Sequence, residues 1–219
     1  MRTAVALAAA TLLPISSPAA AEPKNAAPRV LPIDAAVAAL QSADESRTGY
    51  SRTAFKHWTA GDNPTDGCNT RQEVLLAEAV TAPEIGPRCA ITGGTWFSYY
   101  DEVTVEGARG LDIDHMVPLA EAWDSGASAW TAARREAYAN DQGQPASLVA
   151  VTARTNRSKS DQDPAEWLPP APSALCRYGA EWTATKLRWN LTIDTQEKTA
   201  LHDIASSCDG ATVTYTPAP

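Results

Sequence analysis

The sequence predicts a single α+β domain, in which two strands and a helix form a small core within a mostly helical chain. Residues 111–115 alternate apolar and acidic side chains, as a half-buried strand does, and residues 147–151 form a second apolar strand. Thr152 is then placed to cap a short helix that carries Asn156. After removal of an N-terminal signal of 21 residues, 198 of the 219 residues remain, which suits one domain with a sizeable core.

The first 21 residues have the pattern of a secretory signal peptide. Arg2 is followed by an apolar stretch over residues 4–13 and by small residues that end at Ala21, so we expect cleavage before Glu22. The alternative is a membrane anchor, but this apolar run is about half the ~20 residues that a spanning helix needs. We therefore expect a secreted, extracellular protein with no membrane segment, monomeric by default. A disordered linker is predicted over 22–31 and the domain over 32–219.

Four cysteines indicate two disulfides. None of them forms a C-x-x-C pair, which disfavours a cysteine zinc site. An even number of cysteines in an exported chain is typical of a disulfide framework, and three pairings are possible. Among these we favour Cys68–Cys89 and Cys176–Cys208, which close local loops.

Turn, cap and periodicity signals predict the other elements. Short strands are expected within 89–99, broken at Gly93-Gly94, and over 103–105. The expected helices cover 33–43, a segment beginning at Asn69 or Thr70, 120–123, 128–138, 175–189 and 195–207.

The strand over 111–115 ends in a pair of residues suited to metal-dependent hydrolysis. Asp112 and Asp114 are expected on its outer face, and His115 falls where the strand stops before Pro118. Histidine has an ordinary pKa of about 6.5, so it can act as a base at neutral pH. Carboxylate and amide oxygens, here from Asp114 and Asn156, suit one Mg²⁺ or Mn²⁺ ion better than zinc.

The charge of the chain is less favourable to a nucleic-acid substrate. The formal net charge is −8 and becomes −9 when Arg2 leaves with the signal, whereas phosphate polymers usually meet a basic surface. A metal ion or a local cluster of cations would compensate. Arg157 and Lys159 follow Asn156 and are expected to contact phosphate oxygens; the alternative is an ordinary solvated helix face.

Two of these segments carry a family resemblance. Asp-His-Met-Val-Pro at 114–118, followed by Asn-Arg-Ser-Lys-Ser-Asp at 156–161, resembles the HNH nuclease superfamily and its ββα-metal fold. The chain is most similar to secreted bacterial HNH proteins with a DUF1524-type domain, which is like the C-terminal domain of GmrSD. Segments 67–75, 122–127 and 163–170 resemble further motifs of that group. The resemblance implies a ββα-metal core at about 109–161.

The resemblance also implies roles for individual residues. His115 matches the general base, and Asp114 and Asn156 match the metal ligands. Ser147 stands where the family usually has the asparagine that orients the base, with Asn140 as an alternative. Arg71, in segment 67–75, is a candidate for phosphate contact or for a salt bridge.

The resemblance implies that the protein is an endonuclease that uses one Mg²⁺ or Mn²⁺ ion. It favours DNA over RNA as the substrate. The rival hypothesis is a secreted binding or envelope protein that retains the fold with little or no catalysis. The acidic charge and Ser147 support that rival.

Overall fold

Strands come in antiparallel pairs, and helices cover them. The computed structural model describes residues 27–219, so the signal peptide predicted over 1–21 lies outside the described residues. In this range the helices are α1 (Ile33–Ala39), α2 (Thr70–Ala77), α3 (Leu119–Asp124), α4 (Ala132–Ala139), α5 (Ala153–Lys159), α6 (Leu175–Trp189) and α7 (Thr195–Ser206). The strands are β1 (Arg29–Pro32), β2 (Glu84–Gly86), β3 (Ala90–Thr92), β4 (Thr95–Ser98), β5 (Val103–Glu106), β6 (Leu111–His115), β7 (Leu148–Thr152) and β8 (Thr212–Tyr215). The pairs are β1–β8, β2–β3, β4–β5 and β6–β7.

The pair β6–β7, followed by α5, is the predicted strand–strand–helix core. Leu111 pairs with Thr152 and His115 with Leu148 in an antiparallel register. The Thr152 hydroxyl accepts a hydrogen bond from the Thr155 amide, so α5 starts directly at the end of β7. Helix α5 brings Asn156 back to β6. The predicted α+β class is confirmed.

Two apolar clusters hold the fold together. The smaller one packs the inner face of β6 and β7 against Trp96 and α2, and it includes Leu111 and Ile113. The larger one surrounds α6, whose buried side includes Tyr178, Trp182 and Trp189. Their spacing of four and seven residues places these rings on one helical face. The site residues on β6 therefore lie between two packed layers.

Both predicted disulfides are confirmed. Cys68–Cys89 joins the segment before α2 to the turn before β3, with Cα atoms 5.0 Å apart. Cys176–Cys208 joins the start of α6 to the segment after α7, with Cα atoms 5.5 Å apart. The two disulfides close loops of 21 and 32 residues. By lowering the entropy of the unfolded chain, each is expected to stabilise the fold by about 3–4 kcal/mol.

Several boundaries differ from the sequence prediction. The linker expected over 22–31 is wrong at its end, because Arg29–Pro32 pairs with β8, a strand that was not predicted. The helix expected over 128–138 begins only at Ala132, where the Thr131 hydroxyl accepts from the Arg134 amide. The first helix ends at Ala39 and not at residue 43.

The most consequential difference concerns Asp114. We expected both acidic residues of β6 on an exposed face, but Asp114 is 5% exposed. Alternation along the strand holds, yet helix α5 and the Tyr100 ring cover this part of the outer face. Among residues 27–219, none of the helices has the length and apolar character required to cross a bilayer.

Candidate active site

A cavity of about 280 Å³ lies at the end of β6, beside α5. Asp114 and His115 from the strand line it together with Asn156 and Arg157 from the helix and Arg52 from an earlier loop. The three side chains that the sequence predicts to act together thus line the same cavity, although Asn156 is far from Asp114 and His115 in the sequence.

His115 is fixed from several sides. Its imidazole stacks against Trp58, with ring centroids 5.3 Å apart and planes at 28°, and lies near-parallel to Tyr138 at 6.5 Å. Its Nε2 is 2.9 Å from the carbonyl oxygen of Ala139. Because a carbonyl can only accept, Nε2 carries the proton, and Nδ1 keeps a lone pair.

The protonation state of His115 follows from its burial. The side chain is almost inaccessible, and this burial lowers its pKa to about 3, with nearby His57 and Arg52 acting in the same direction. Hydrogen bonding to Ala139 opposes the shift. His115 is therefore neutral at physiological pH, as a general base must be before reaction.

Asp114 is held by a lysine and a tyrosine. Its Oδ2 atom accepts from Lys159 Nζ at 2.6 Å and from the Tyr100 hydroxyl at 2.7 Å. Lys159, which is fully buried, also donates to the carbonyls of His115 and Met116 at 3.0 and 2.9 Å. Burial raises the pKa of Asp114 and lowers that of Lys159, and each group opposes the other's shift.

This arrangement changes the role expected for Lys159. The sequence predicts a phosphate contact, but all three N–H donors of its ammonium bind protein oxygens, and the side chain is 0% exposed. Lys159 instead joins α5 to the end of β6. The prediction failed because it assumed that a lysine in a short polar helix lies on the solvated face.

Asn156 turns toward β6. Its Nδ2 donates to Asp112 Oδ2 at 3.3 Å, and Arg157 Nε lies 3.4 Å from the same oxygen. Since Nδ2 points to Asp112, the carboxamide oxygen of Asn156 is the atom left for another ligand. Asp112, expected to lie on the outer face of β6, therefore orients Asn156.

The imidazole of His115 is not oriented by the Ser147 side chain, as predicted, but by a backbone carbonyl. The Ser147 hydroxyl donates to Asp141 at 2.7 Å, whereas the imidazole contacts the Ala139 carbonyl. Asn140, the alternative, follows that carbonyl directly and bonds to Lys56, Glu136, Thr59 and Thr70. Asn140 thus fixes the chain that contacts His115.

Arginines supply positive charge near the cavity. The Arg157 side chain is 76% exposed and makes an ion pair with Asp112 at the rim of the cavity. Arg71 donates to the Leu111 carbonyl at 3.0 Å and so holds the start of β6. Arg52 lines the cavity but was missed, because it belongs to no motif and reaches the site only through the tertiary fold.

Trp58 is a second residue that the sequence did not reveal. Its φ of +57° is unusual for a bulky side chain, and such backbone conformations cost about 1–3 kcal/mol. The stacking on His115 and the packing against Trp96 and its neighbours hold it there. These contacts keep an aromatic wall beside the imidazole despite the backbone strain.

The donor atoms around the cavity fit a hard divalent cation. Tyr100 and Lys159 both donate to Oδ2 of the Asp114 carboxylate, so Oδ1 is its candidate ligand atom. The second candidate ligand is the carboxamide oxygen of Asn156. One carboxylate oxygen and one amide oxygen suit Mg²⁺, which is usually bound through few protein ligands and keeps several waters.

Comparisons with known proteins identify the family of the chain. The model of one family, described as the C-terminal domain of GmrSD restriction endonucleases, matches residues 81–204, more than half of the chain. A protein of Arthroderma benhamiae, described as an uncharacterized secreted protein, is 42% identical over 160 residues; these cover 73% of this chain and 76% of that protein. No solved structure matches the chain.

Replacing Lys159 by methionine should destabilise the fold strongly. The change keeps the apolar stem but leaves Asp114 buried without its counter-ion, so we expect the free energy of unfolding to fall by about 3–5 kcal/mol. Urea denaturation measures this. Lys56→Met, at a lysine 72% exposed, is the control and should stay within about 0.5 kcal/mol. Adding Asp114→Asn to Lys159→Met should recover part of the loss, and equal effects at the two lysines would contradict the assignment.

His115 should remain neutral and protonated on Nε2 from pH 8 down to about pH 4, because its pKa is about 3. Nitrogen-15 NMR of the imidazole reports both tautomer and titration. In the unfolded chain the ordinary pKa of about 6.5 applies, so this group lowers stability as the pH falls from about 6.5 toward 3. Titration of His115 in the folded protein near pH 6.5 would contradict this account.

Proposed function

Because the chain belongs to the family of GmrSD restriction endonuclease C-terminal domains, we propose that it is a secreted endonuclease that hydrolyses phosphodiester bonds of nucleic acid. The observation that carries this proposal is the lining of one cavity by neutral His115, Asp114 and Asn156. The family description refers to restriction endonucleases, which favours DNA over RNA as the substrate. Secretion is supported by the similar secreted protein and by the signal pattern of residues 1–21.

In the proposed reaction His115 activates the attacking water. Nδ1 accepts a proton from this water as the water oxygen attacks the phosphorus atom. The bond between phosphorus and the 3′ oxygen breaks, the 3′ oxygen takes a proton from solvent water, and a 5′-phosphate is left on the other product. The ring becomes an imidazolium, and its Nε2–H bond to the Ala139 carbonyl strengthens because the donor is now charged. The pKa of about 3 belongs to the protein without substrate. A bound phosphate places negative charge near the imidazole and so raises its pKa toward neutrality.

Asp114 and Asn156 would hold one Mg²⁺ or Mn²⁺ ion. When bound, such an ion polarises the phosphate and stabilises the leaving oxygen. Lys159 and Tyr100 fix the Asp114 carboxylate, and Asp112 fixes the Asn156 carboxamide. The ligands are therefore positioned before a cation binds, which reduces the ordering required at that moment.

Arg52 and Arg157 would bind the phosphate oxygens. Both are exposed and line the cavity, and guanidinium groups can contact two phosphate oxygens at once. Arg154, one helical turn before Arg157, is 83% exposed and lies 3.8 Å from Asp101, as Arg157 lies 3.4 Å from Asp112. An incoming phosphate would compete with these carboxylates for the two guanidinium groups.

One observation favours the rival function, a secreted binding protein with weak or no catalysis. Lys159 already neutralises the carboxylate proposed to hold the cation, and the ammonium lies 2.6 Å from Oδ2. A charge so close weakens the attraction of Asp114 for a second cation. Cleavage assays decide between the two functions directly.

Purified protein should nick plasmid DNA with Mg²⁺ or Mn²⁺ and lose this activity in EDTA. Plasmid, single-stranded DNA and RNA are compared under the same conditions, with DNA expected to be the better substrate. His115→Ala removes the base and should reduce the rate by about 10²–10⁴-fold, the usual contribution of general base catalysis. Asn156→Ala should raise the cation concentration required for half-maximal activity.

His202→Ala is the matched control, because His202 is an exposed histidine on α7, away from the cavity. Its activity should equal that of the unmodified protein. Cleavage that persists in EDTA, or that is undiminished in His115→Ala, would reject this mechanism. Absence of cleavage on all three substrates, at any concentration of either cation, would favour the binding protein.

A further inference from the structure

A second acidic cluster lies outside the proposed active site, around Glu45. Glu45, Glu121 and Asp124 each place a carboxylate oxygen within 4.8 Å of the others, and Glu45 does the same with Asp163 and Asp194. Asp124 and Asp163 belong to segments 122–127 and 163–170, which the nuclease proposal does not use. Four carboxylates from distant parts of the chain thus converge on the Glu45 side chain.

The nearest cations do not balance this charge. Lys186 Nζ donates to Glu121 at 2.7 Å and to Glu197 at 2.6 Å, and Arg47 Nε donates to Asp124 at 2.6 Å. With Glu197 included, six carboxylates meet two cations, so four negative charges are uncompensated when all groups are ionised. Such an accumulation is unfavourable where side chains are removed from water.

Unpaired oxygen atoms point independently to a missing ligand. The Asp124 side chain is 5% exposed, and its Oδ1 atom has neither solvent contact nor a hydrogen-bond donor among residues 27–219. Glu45 Oε1 is in the same condition. Buried polar atoms without a partner are unfavourable, and charged ones more so. Both atoms belong to the same group of three carboxylates.

We propose that Glu45, Glu121 and Asp124, with Asp163 and Asp194 beside Glu45, bind a divalent cation of the Ca²⁺ type. Ca²⁺ takes six to eight oxygen ligands at 2.3–2.6 Å, so ligand atoms on one ion lie at most about 5 Å apart. Within each group of three the carboxylate oxygens lie within 4.8 Å of one another, so one ion can contact all three, and the proposed ligands are all oxygens. This site is independent of the nuclease proposal.

The competing explanation is a proton in place of a cation. Burial and neighbouring Glu121 raise the pKa of Glu45 to about 8, so the two carboxylates could share a proton at neutral pH. A proton reduces the charge by one, but it does not provide partners for the buried oxygen of Asp124. The two explanations predict different responses to added calcium.

Thermal unfolding with CaCl₂ after removal of metals by EDTA tests the proposal. At pH 7.5 and 10 mM Ca²⁺, affinities typical of extracellular calcium modules predict a rise in Tm of about 3–10 °C for the unmodified protein. Glu45→Gln and Asp124→Asn keep side-chain size but remove ligand charge, so each should lose most of this rise. Asp203→Asn, at an exposed carboxylate on α7, should keep it.

Asn156→Ala separates this site from the nuclease site. It should keep the full Ca²⁺ response while its cleavage is impaired, so the two proposals can fail independently. Should Glu45→Gln not fold, terbium luminescence sensitised by tryptophan gives a second readout: Asp124→Asn should bind one ion fewer than Asp203→Asn. A rise in Tm equal in all variants, or no Ca²⁺ response together with a more stable Glu45→Gln, would overturn the proposal in favour of a proton.

Discussion

The buried ion pair between Lys159 and Asp114 is the interaction on which the geometry of the candidate site depends. A lone buried ammonium or carboxylate would be very unfavourable, but here the ammonium has three oxygen acceptors and the carboxylate has two donors. The pair joins the end of α5 to the end of β6. It therefore sets the distance between Asn156 and His115, which come from different elements.

The same pair explains why the site is formed before any ligand binds. Lys159 donates to the carbonyls of His115 and Met116, so it holds the backbone at the point where β6 stops. Trp58 and the Ala139 carbonyl then fix the imidazole ring. Asp114, His115 and Asn156 are thus each held by a neighbour outside the proposed ligand set, an arrangement typical of preorganised active sites.

Much of this could be predicted from local sequence. Alternation of side chains located β6, and helical periodicity located α6. The even number of cysteines indicated two disulfides, and the preference for local loops selected the correct pairs. The start of α4 was misplaced for a local reason, the Thr131 cap, but the failures in the site depend on tertiary contacts. No local pattern distinguishes a lysine that is buried under a tryptophan from one on a solvated face, and none brings Arg52 or Trp58 to the cavity. Strand β8 was missed because only its pairing with β1 makes that short segment a strand.

The acidic net charge of the chain is compatible with the proposed anionic substrate. The net charge of −8 includes the carboxylates around Glu45, which lie outside the cavity, whereas Arg52, Arg154 and Arg157 lie at or beside it. Local charge, and not the net value, governs the approach of a phosphate at distances within a Debye length of roughly 8–10 Å. Exported proteins also meet divalent cations outside the cell, which suits both cation sites proposed here.

The most direct test of the central claim is a crystal structure of His115→Ala grown with millimolar Mn²⁺ and measured at a wavelength where manganese scatters anomalously. We expect an anomalous peak from a manganese ion bound by the Asp114 carboxylate and the Asn156 carboxamide, and we expect this peak to be lost in Asn156→Ala. Manganese found only elsewhere, with the Lys159–Asp114 pair intact and the cavity without a peak, would contradict it.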